Sequence, residues 1–289
     1  MDKHSFLIAL GILCLLPVSL FSRSRVVNDT IFSKKLNADR AYSVYLPPSF
    51  GEVQGKKYPV LYLFHGMSQT NQDWVGRGHV QEVADRLIYS QEAREMIIVM
   101  PDAGGDIYKE VWNGFFNMPG WLYEDFFFEE FLPYVENKYP IIGDKENRAV
   151  AGLSMGGGGA TGYGLWHADK FASVYAMSAL MSIPEEGAAR FDNPDSKLAI
   201  LTRTVIERSC IKRVTDADAG TIQALKSVRW FVDCGDDDFL LDRNIEFFQA
   251  MRKAGIPCQF RVRDGGHDWE YWHSALYMCL PFVSGTFNK

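Results

Sequence analysis

The sequence predicts an α/β fold in which a mostly parallel, doubly wound sheet is flanked by helices. From about residue 26, short apolar segments typical of strands alternate with longer amphipathic segments typical of helices. Several strand segments are apolar almost throughout, as expected where helices cover both faces of a sheet. The length of 289 residues is sufficient for one large α/β domain.

The individual elements follow from this alternation. The predicted strands are short apolar runs at 41–46, 59–64, 96–100, 148–153, 172–177, 229–234 and 259–262. The predicted helices are amphipathic segments at 79–89, 123–139, 244–254 and 269–282. Between residues 180 and 227 no strand is indicated, and 197–208 and 217–225 have helical patterns. Connections of this length usually cover the active face, so we expect a single domain, 25–289, with a helical insertion at about 180–227 after the sixth strand.

Composition restricts the class of protein. The chain is 47% hydrophobic, 14% aromatic and 23% charged, which are values of a globular protein and exclude general disorder, collagen-like repeats and coiled coil. The formal net charge is −6, so no excess of Lys and Arg is available to follow a phosphate backbone. We therefore expect no nucleic-acid partner.

The N-terminus has the pattern of a secretory signal. Residues 6–21 form an apolar run that is interrupted by Pro17, is preceded by Lys3 and is followed by Ser22-Arg23-Ser24. The run is short for a membrane span, which needs about 20 residues. We predict that 1–24 is a signal peptide, that the protein is exported to a periplasmic or extracellular location, and that no stable membrane insertion remains after cleavage. The alternative is an uncleaved N-terminal anchor.

The chain has five cysteines, an odd number. Cys14 lies in the predicted signal, which leaves four cysteines at positions 210, 234, 258 and 279. In an exported chain these permit two disulfides, one or none, and the sequence does not choose among them. No CxxC motif or Cys/His cluster is present, so no metal site and no cofactor are expected.

The most informative passage is Gly152-Leu153-Ser154-Met155-Gly156, which follows a predicted strand and opens a helix rich in small residues. A nucleophilic serine must protrude from a tight strand-to-helix turn, and bulky neighbours would clash there. The N–H groups at the start of the helix point towards a developing oxyanion. Ser154 is therefore the candidate nucleophile, and a close-packed glycine turn without catalytic function is the alternative.

A serine nucleophile needs a histidine base and a carboxylate that orients it, and in this architecture they follow the serine in the order acid, then histidine. His267 lies in a glycine-containing loop after the last strand, whereas His273 lies on the next helix and is interpreted as packing. Asp238 is the favoured acid because it lies beside the apolar Phe239-Leu240, and Asp236 is the second candidate.

The remaining candidate residues lie in loops after strands. The N–H groups of Met155 and Met67 are expected to form an oxyanion hole, since Met67 follows a strand that ends in His-Gly. Aromatic side chains near the ligand-binding face are candidates for stacking on a sugar or phenolic ring, and hydrophobic packing is the alternative. The candidate substrate-binding residues are Trp74, Trp112, Trp121 and Trp269.

Together these motifs resemble the esterase D-like branch of the α/β-hydrolases, which includes feruloyl and acetylxylan carbohydrate esterases, S-formylglutathione hydrolases and mycolyltransferases. The matching segments run in order from Phe64-His65-Gly66-Met67 through Met100-Pro101-Asp102 and Tyr123-Glu124-Asp125-Phe126 to the serine turn, Asp238 and Gly266-His267-Asp268-Trp269. The resemblance implies an α/β-hydrolase fold and serine ester chemistry. It is weak for the acyl group, and the insertion at 180–227 is the region that matches least.

The sequence therefore predicts an exported serine esterase that acts through an acyl-enzyme. Ser154 would attack the ester carbonyl, His267 would take its proton, and Asp238 would orient the imidazole. The expected partner is a small-molecule or polysaccharide ester, with acetyl or feruloyl as the acyl group. The alternatives are an acyltransferase with the same acyl-enzyme, an S-formylglutathione hydrolase-like thioesterase and a non-catalytic binding protein. The oligomeric state is not predicted.

Overall fold

The structure, a computed structural model, describes residues 23–288. Residues 1–22 of the predicted export signal, which include Cys14, lie outside the described residues. None of the helices in the described part of the chain is both long enough and apolar enough to cross a membrane.

The described residues form a main sheet of eight strands and a small two-stranded hairpin. In chain order the strands are β1 Arg25–Ser33, β2 Ala38–Leu46, β3 Val60–Phe64, β4 Ile97–Pro101, β5 Asn117–Met118, β6 Trp121–Leu122, β7 Arg148–Leu153, β8 Ser173–Met177, β9 Arg229–Gly235 and β10 Cys258–Arg263. The main sheet has the order β1-β2-β4-β3-β7-β8-β9-β10, and β5 pairs with β6 outside it. The strands from β4 to β10 in this order are parallel, while β1 and β2 add an antiparallel edge. The predicted α/β class and mostly parallel sheet are confirmed.

The helices flank the sheet on both faces. They are α1 Asp73–Gly76, α2 Val80–Tyr89, α3 Tyr123–Asp125, α4 Leu132–Lys138, α5 Ser154–Trp166, α6 Lys197–Glu207, α7 Cys210–Thr215, α8 Ala219–Leu225, α9 Leu241–Lys253 and α10 Trp269–Ser284. Side chains of α4, α5 and α9 belong to one buried cluster, and those of α2 and α10 to a second cluster on the other face. A sheet covered on both faces requires apolar strands, and β3, β4, β7 and β8 are buried along their whole length.

Two elements differ from the sequence prediction. The helix predicted over 123–139 begins and ends as expected, but the π-helical segment Phe126–Phe131 joins α3 to α4. Strand β1 was not predicted, because the run RVVNDTIFS carries polar residues and only its last residue is buried. It is held instead by its long antiparallel pairing with β2.

The insertion follows β8, which is the sixth strand of the main sheet in chain order once the unpredicted β1 is counted, and the fifth of the predicted strands. No strand occurs between residues 180 and 227, and the insertion consists of α6, α7, α8 and a short 3-10 turn. Helix α7 was not predicted; the Ser209 side chain caps it by accepting the N–H of Lys212. The insertion is tied to the rest of the domain by the hydrogen bond from the Arg208 guanidinium to the Glu124 carboxylate, 2.9 Å.

The four cysteines of the described residues, Cys210, Cys234, Cys258 and Cys279, are free thiols, and all of them except the half-buried Cys258 are buried. Burial raises the pKa of the Cys210 thiol to about 12 and that of Cys258 to about 12. Of the arrangements that the sequence left open, the structure has the one without disulfides, in which these residues pack as small apolar side chains.

Candidate active site

Ser154 stands on a tight turn between β7 and α5. Its backbone is left-handed, with φ of +53°, which is unfavourable for a residue other than glycine and is stored only where the surroundings enforce it. A Cβ on Gly152 would lie 2.4 Å from the carbonyl oxygen of Gly156, and one on Gly156 would lie 2.2 Å from that of His65. Both glycines are therefore required by backbone contacts, and the turn lifts the Ser154 side chain out of the sheet edge.

The structure brings Ser154, His267 and Asp238 together from three separate loops. The Nε2 atom of His267 lies 2.9 Å from the Oγ of Ser154. On the other side of the ring, Nδ1 lies 2.9 Å from Oδ2 and 3.1 Å from Oδ1 of Asp238. Asp238 follows β9 and His267 follows β10, and these neighbouring parallel strands end at the same edge of the sheet as β7. The arrangement is the hydrogen-bonded chain of nucleophile, base and orienting acid that serine hydrolysis requires.

The loops that carry the acid and the base are packed against each other. A Cβ on Gly235 would lie 2.0 Å from the carbonyl oxygen of Gly265, so only glycine permits this approach. Asp236, the second candidate for the acid, is exposed and accepts the N–H of Gly265 at 3.1 Å. It connects the two loops and does not contact the imidazole.

The Asp238 carboxylate is completely buried, whereas the His267 side chain retains about a fifth of its exposure, 19%. Burial alone would raise the pKa of Asp238, but the hydrogen bonds from His267 and from the N–H of Leu240 outweigh it, and the pKa lies below its ordinary value. Asp238 is thus held as a carboxylate, which fixes the proton on Nδ1 of His267 and leaves Nε2 free to accept one.

The loop after β3 lies beside the serine turn. A Cβ on Gly66 would lie 2.8 Å from the Leu153 side chain, and one on Gly156 would lie 2.2 Å from the His65 carbonyl oxygen, so the loop that carries Met67 packs against the turn that carries Met155. Met155 is the second residue of α5, so its N–H belongs to the first turn, where donors have no partner within the helix.

The loop after β3, residues 66–69, has four N–H groups, and three of them already donate hydrogen bonds within the protein. The Gly66 N–H donates to the Gln69 side chain, and the Gln69 N–H donates to the Gly66 carbonyl. The Ser68 N–H donates to Asn113 Oδ1. Within the described residues the N–H of Met67 has no protein acceptor. The loop is thus braced on both sides of a single free donor.

His65 is a residue whose role the sequence did not indicate. It is buried, its Nδ1 donates to the Gly66 carbonyl at 2.7 Å, and its Nε2 accepts the N–H of Ala103 at 2.9 Å. Burial lowers its pKa, which is consistent with the neutral ring that these two bonds require. His65 therefore ties the Met67 loop to the end of β4. The only sequence signal was its position at a strand end, directly before glycine.

The structure corrects most of the aromatic candidates for substrate binding. Trp74 is fully buried, and its indole N–H donates to the Phe64 carbonyl at 3.0 Å. Trp121 is 6% exposed and Trp269 9% exposed, and the ring of Trp269 packs edge-on against Trp74. Placement in a loop after a strand suggested exposure, but these indoles fill the space beneath the loops, where a substrate has no access. Trp112 is half-buried and stacks on Trp121.

Asp236, Asp237 and Asp264 place carboxylate oxygens within 4.8 Å of one another. All three are exposed, and Asp236 is engaged by the Gly265 N–H. We assign no metal to this group, since exposed acidic residues without a buried ligand do not define a metal site.

The comparisons with known proteins agree with this geometry. The family model described as "Putative esterase" matches residues 33–283. A solved structure of a ferulic acid esterase is 67% identical, with a TM-score of 0.89, and the match covers 92% of this chain and 99% of that chain. A fluorophosphonate-binding serine hydrolase of Staphylococcus aureus has the same fold, with 23% identity, a TM-score of 0.74 and coverage of 91% of this chain and 99% of that one.

Two curated relatives are more distant in sequence. The acetyl esterase of Caldicellulosiruptor saccharolyticus is 24% identical, with 81% of this chain and 86% of that protein covered. The endo-1,4-beta-xylanase/feruloyl esterase of Xylanibacter ruminicola is 31% identical, and the match covers 86% of this chain but 30% of that protein.

The fold and the site define a serine carboxylic ester hydrolase with an α/β-hydrolase fold. The chain belongs to the esterase family, in its esterase D-like branch with the carbohydrate esterases. Of the alternatives that the sequence left open, a non-catalytic binding protein is excluded by this membership.

Proposed function

We propose that Ser154, His267 and Asp238 are the catalytic triad of this esterase and that the N–H groups of Met67 and Met155 form its oxyanion hole. The observation that carries the proposal is the pair of contacts at His267, 2.9 Å to Ser154 and 2.9 Å to Asp238. As Ser154 Oγ attacks the ester carbonyl, its proton passes to Nε2 of His267. The two N–H groups then stabilise the negative charge on the former carbonyl oxygen.

The second half of the reaction uses the same groups. His267 gives its proton to the departing alcohol oxygen, and Ser154 keeps the acyl group as an ester. A water molecule then loses a proton to His267 and attacks this acyl-enzyme, which releases the acid and restores Ser154. Asp238 remains a carboxylate throughout and stabilises the imidazolium that forms in each half, and its lowered pKa supports this role.

The proposed substrate is a feruloyl ester of a plant polysaccharide or oligosaccharide. The 67% identity to a ferulic acid esterase over nearly the whole chain supports the acyl group. The relative that combines a xylanase with a feruloyl esterase supports a polysaccharide as the alcohol. Acetyl is the second candidate acyl group, and it is supported by the similarity to an acetyl esterase.

The triad is tested by replacing its nucleophile. Ser154→Ala is expected to abolish turnover of p-nitrophenyl acetate, while Ser274→Ala, a serine on α10 that donates to the Tyr271 carbonyl, keeps it. The loss expected for a missing triad nucleophile is about 10⁶-fold in kcat. Turnover by a folded Ser154→Ala variant at the wild-type rate would show that the nucleophile is another residue.

The substrate class is tested on oligosaccharides released from arabinoxylan, with ferulic acid and acetic acid measured separately by chromatography. Release of ferulic acid by the wild-type protein and not by Ser154→Ala is the expected result. Release of acetic acid alone would identify acetyl, the second candidate, as the acyl group. Absence of both acids, with p-nitrophenyl acetate still cleaved, would refute a carbohydrate ester as the substrate.

The proposal also includes export directed by residues 1–24. Sequencing the N-terminus of the protein recovered outside the cytoplasm is expected to show a chain that begins near Ser24. A chain that retains residues 6–21 and fractionates with membranes would favour the anchored alternative.

A further inference from the structure

Phe239 is an exposed aromatic residue at the mouth of the candidate active site. It directly follows Asp238 in the chain, and 76% of its surface is accessible. Its ring centroid lies 4.5 Å from that of His267, with the two planes inclined by 48°. Leu240, the next residue, is buried, so the turn after the acid directs its two apolar residues to different environments. An apolar side chain this exposed does not contribute to the core, and its ring is accessible to a ligand beside the base.

A second aromatic ring, that of Trp272, also packs against the imidazole. The ring of Trp272 lies 4.9 Å from that of His267 at an angle of 88°, and Trp272 is 4% exposed. Trp269 packs in turn against Trp272 and closes this side. Of the two rings that pack against the imidazole, Phe239 is therefore the one that a substrate can reach.

The chemistry of the reaction determines which part of the ester lies there. The carbonyl oxygen of the ester must face the N–H groups of Met67 and Met155, on the β3 side of Ser154. The alcohol oxygen must receive a proton from Nε2 of His267, so the alcohol lies next to the imidazole. Phe239 contacts the imidazole and is therefore placed to meet the alcohol, not the acyl group.

We propose that Phe239 forms the binding subsite for the alcohol and that its occupant is a sugar ring, whose apolar C–H face stacks on the exposed phenyl ring. This inference rests on the proposed function, in which the alcohol is a saccharide. Two exposed carboxylates close to Phe239 in sequence, Asp237 and Asp236, lie two and three residues before it in the chain and are acceptors for sugar hydroxyls. The same charges disfavour an anionic alcohol, so a neutral saccharide is the class that fits.

The test compares two esters with the same acyl group, methyl ferulate and a feruloylated arabinose oligosaccharide. Phe239→Ala is expected to raise KM for the sugar ester by about three- to tenfold, the range for one lost aromatic stacking contact. For methyl ferulate, kcat/KM should stay near the wild-type value, because methanol has no ring to stack. Phe239→Tyr keeps the aromatic face and should retain the preference for the sugar ester.

The matched control is Phe32→Ala, which removes another exposed phenyl ring, 58% accessible, from β1 at the far edge of the sheet. It should change neither ester. An equal loss on both esters in Phe239→Ala, with a shifted pH profile of kcat/KM, would show that Phe239 only positions His267, and the subsite would be refuted. A wild-type protein that cleaves methyl ferulate but not the sugar ester would refute the proposed substrate class, and the sugar occupant with it.

Discussion

Replacement of His65 tests how the proposed oxyanion hole is held in place. His65 makes two hydrogen bonds with backbone groups, to the Gly66 carbonyl at 2.7 Å and from the Ala103 N–H at 2.9 Å. His65→Leu places an apolar side chain in the site and removes both bonds. The Ala103 N–H is left buried and unpaired, which costs about 1–3 kcal/mol, whereas the Gly66 carbonyl keeps its bond from the Gln69 N–H and loses one bond worth about 0.5–1.5 kcal/mol. Unfolding by urea should therefore show a loss of about 1.5–4.5 kcal/mol.

The effect on catalysis has a separate origin. Without His65 the Met67 N–H is held in position only by the bonds of Gly66, Ser68 and Gln69, and its position becomes less fixed. The value of kcat should therefore fall, and the upper limit is the loss of about 10²–10³ for a missing oxyanion donor. KM should change little, because the charge on the oxygen develops only in the transition state. The assay is the steady-state hydrolysis of p-nitrophenyl acetate at a temperature where the variant is folded.

Two partial replacements separate the two bonds. His65→Asn places an amide nitrogen near the position of Nδ1 and can keep the bond to Gly66, whereas His65→Gln places an oxygen near that of Nε2 and can keep the bond from Ala103. We expect His65→Asn to retain more activity, since Gly66 directly precedes Met67. His273→Leu is the control, because His273 also donates to a backbone carbonyl, that of Gly78. A folded His65→Leu variant with wild-type kcat would refute the bracing role.

Three further predictions concern other parts of the site. Asp238→Asn should lower the unfolding free energy at neutral pH. Because the folded-state pKa of Asp238 is depressed, the difference from wild type should shrink as the pH falls through about 4 and below. A difference that is independent of pH would contradict this prediction. Gly156→Ala should lower kcat by about 10²-fold or more through its clash with the His65 carbonyl, whereas Gly76→Ala, with open space at its Cβ, should leave kcat unchanged; equal activities would refute the packing argument. Trp74→Phe should lower the free energy of unfolding, measured with urea, by about 1–2 kcal/mol because the hydrogen bond to the Phe64 carbonyl is lost, and KM for feruloyl esters should change little. A large rise in KM would restore Trp74 as a substrate contact.

The sequence was most informative where one physical requirement acts on a few adjacent residues. The strand-to-helix turn at Ser154 needs glycine on both sides of the serine, and this local requirement is visible in the printed sequence. The central strands were predicted because both of their faces are buried, which makes them apolar throughout. Strand β1 escaped prediction because an edge strand keeps polar residues and is defined by its pairing with β2.

Properties that depend on distant packing were harder to predict. Asp238 was favoured because its apolar neighbours were expected to shield it, but Phe239 faces solvent and the carboxylate is buried by other contacts. Trp74 was a candidate for substrate contact with hydrophobic packing as the alternative, and loop position alone does not show that Phe64 offers a buried carbonyl to its indole. The role of His65 depends on Ala103, 38 residues away along the chain, and no local pattern indicates such a contact.

The central claim is that Ser154 is the nucleophile of this esterase, and labelling by a fluorophosphonate probe tests it most directly. The purified protein is treated with the probe, digested, and analysed by peptide mass spectrometry. We predict one phosphonate adduct, located on Ser154, which is absent from Ser154→Ala and reduced in His267→Ala because the base no longer activates the hydroxyl. An adduct on a different residue of the active wild-type protein, or esterase activity that survives complete labelling, would contradict the account.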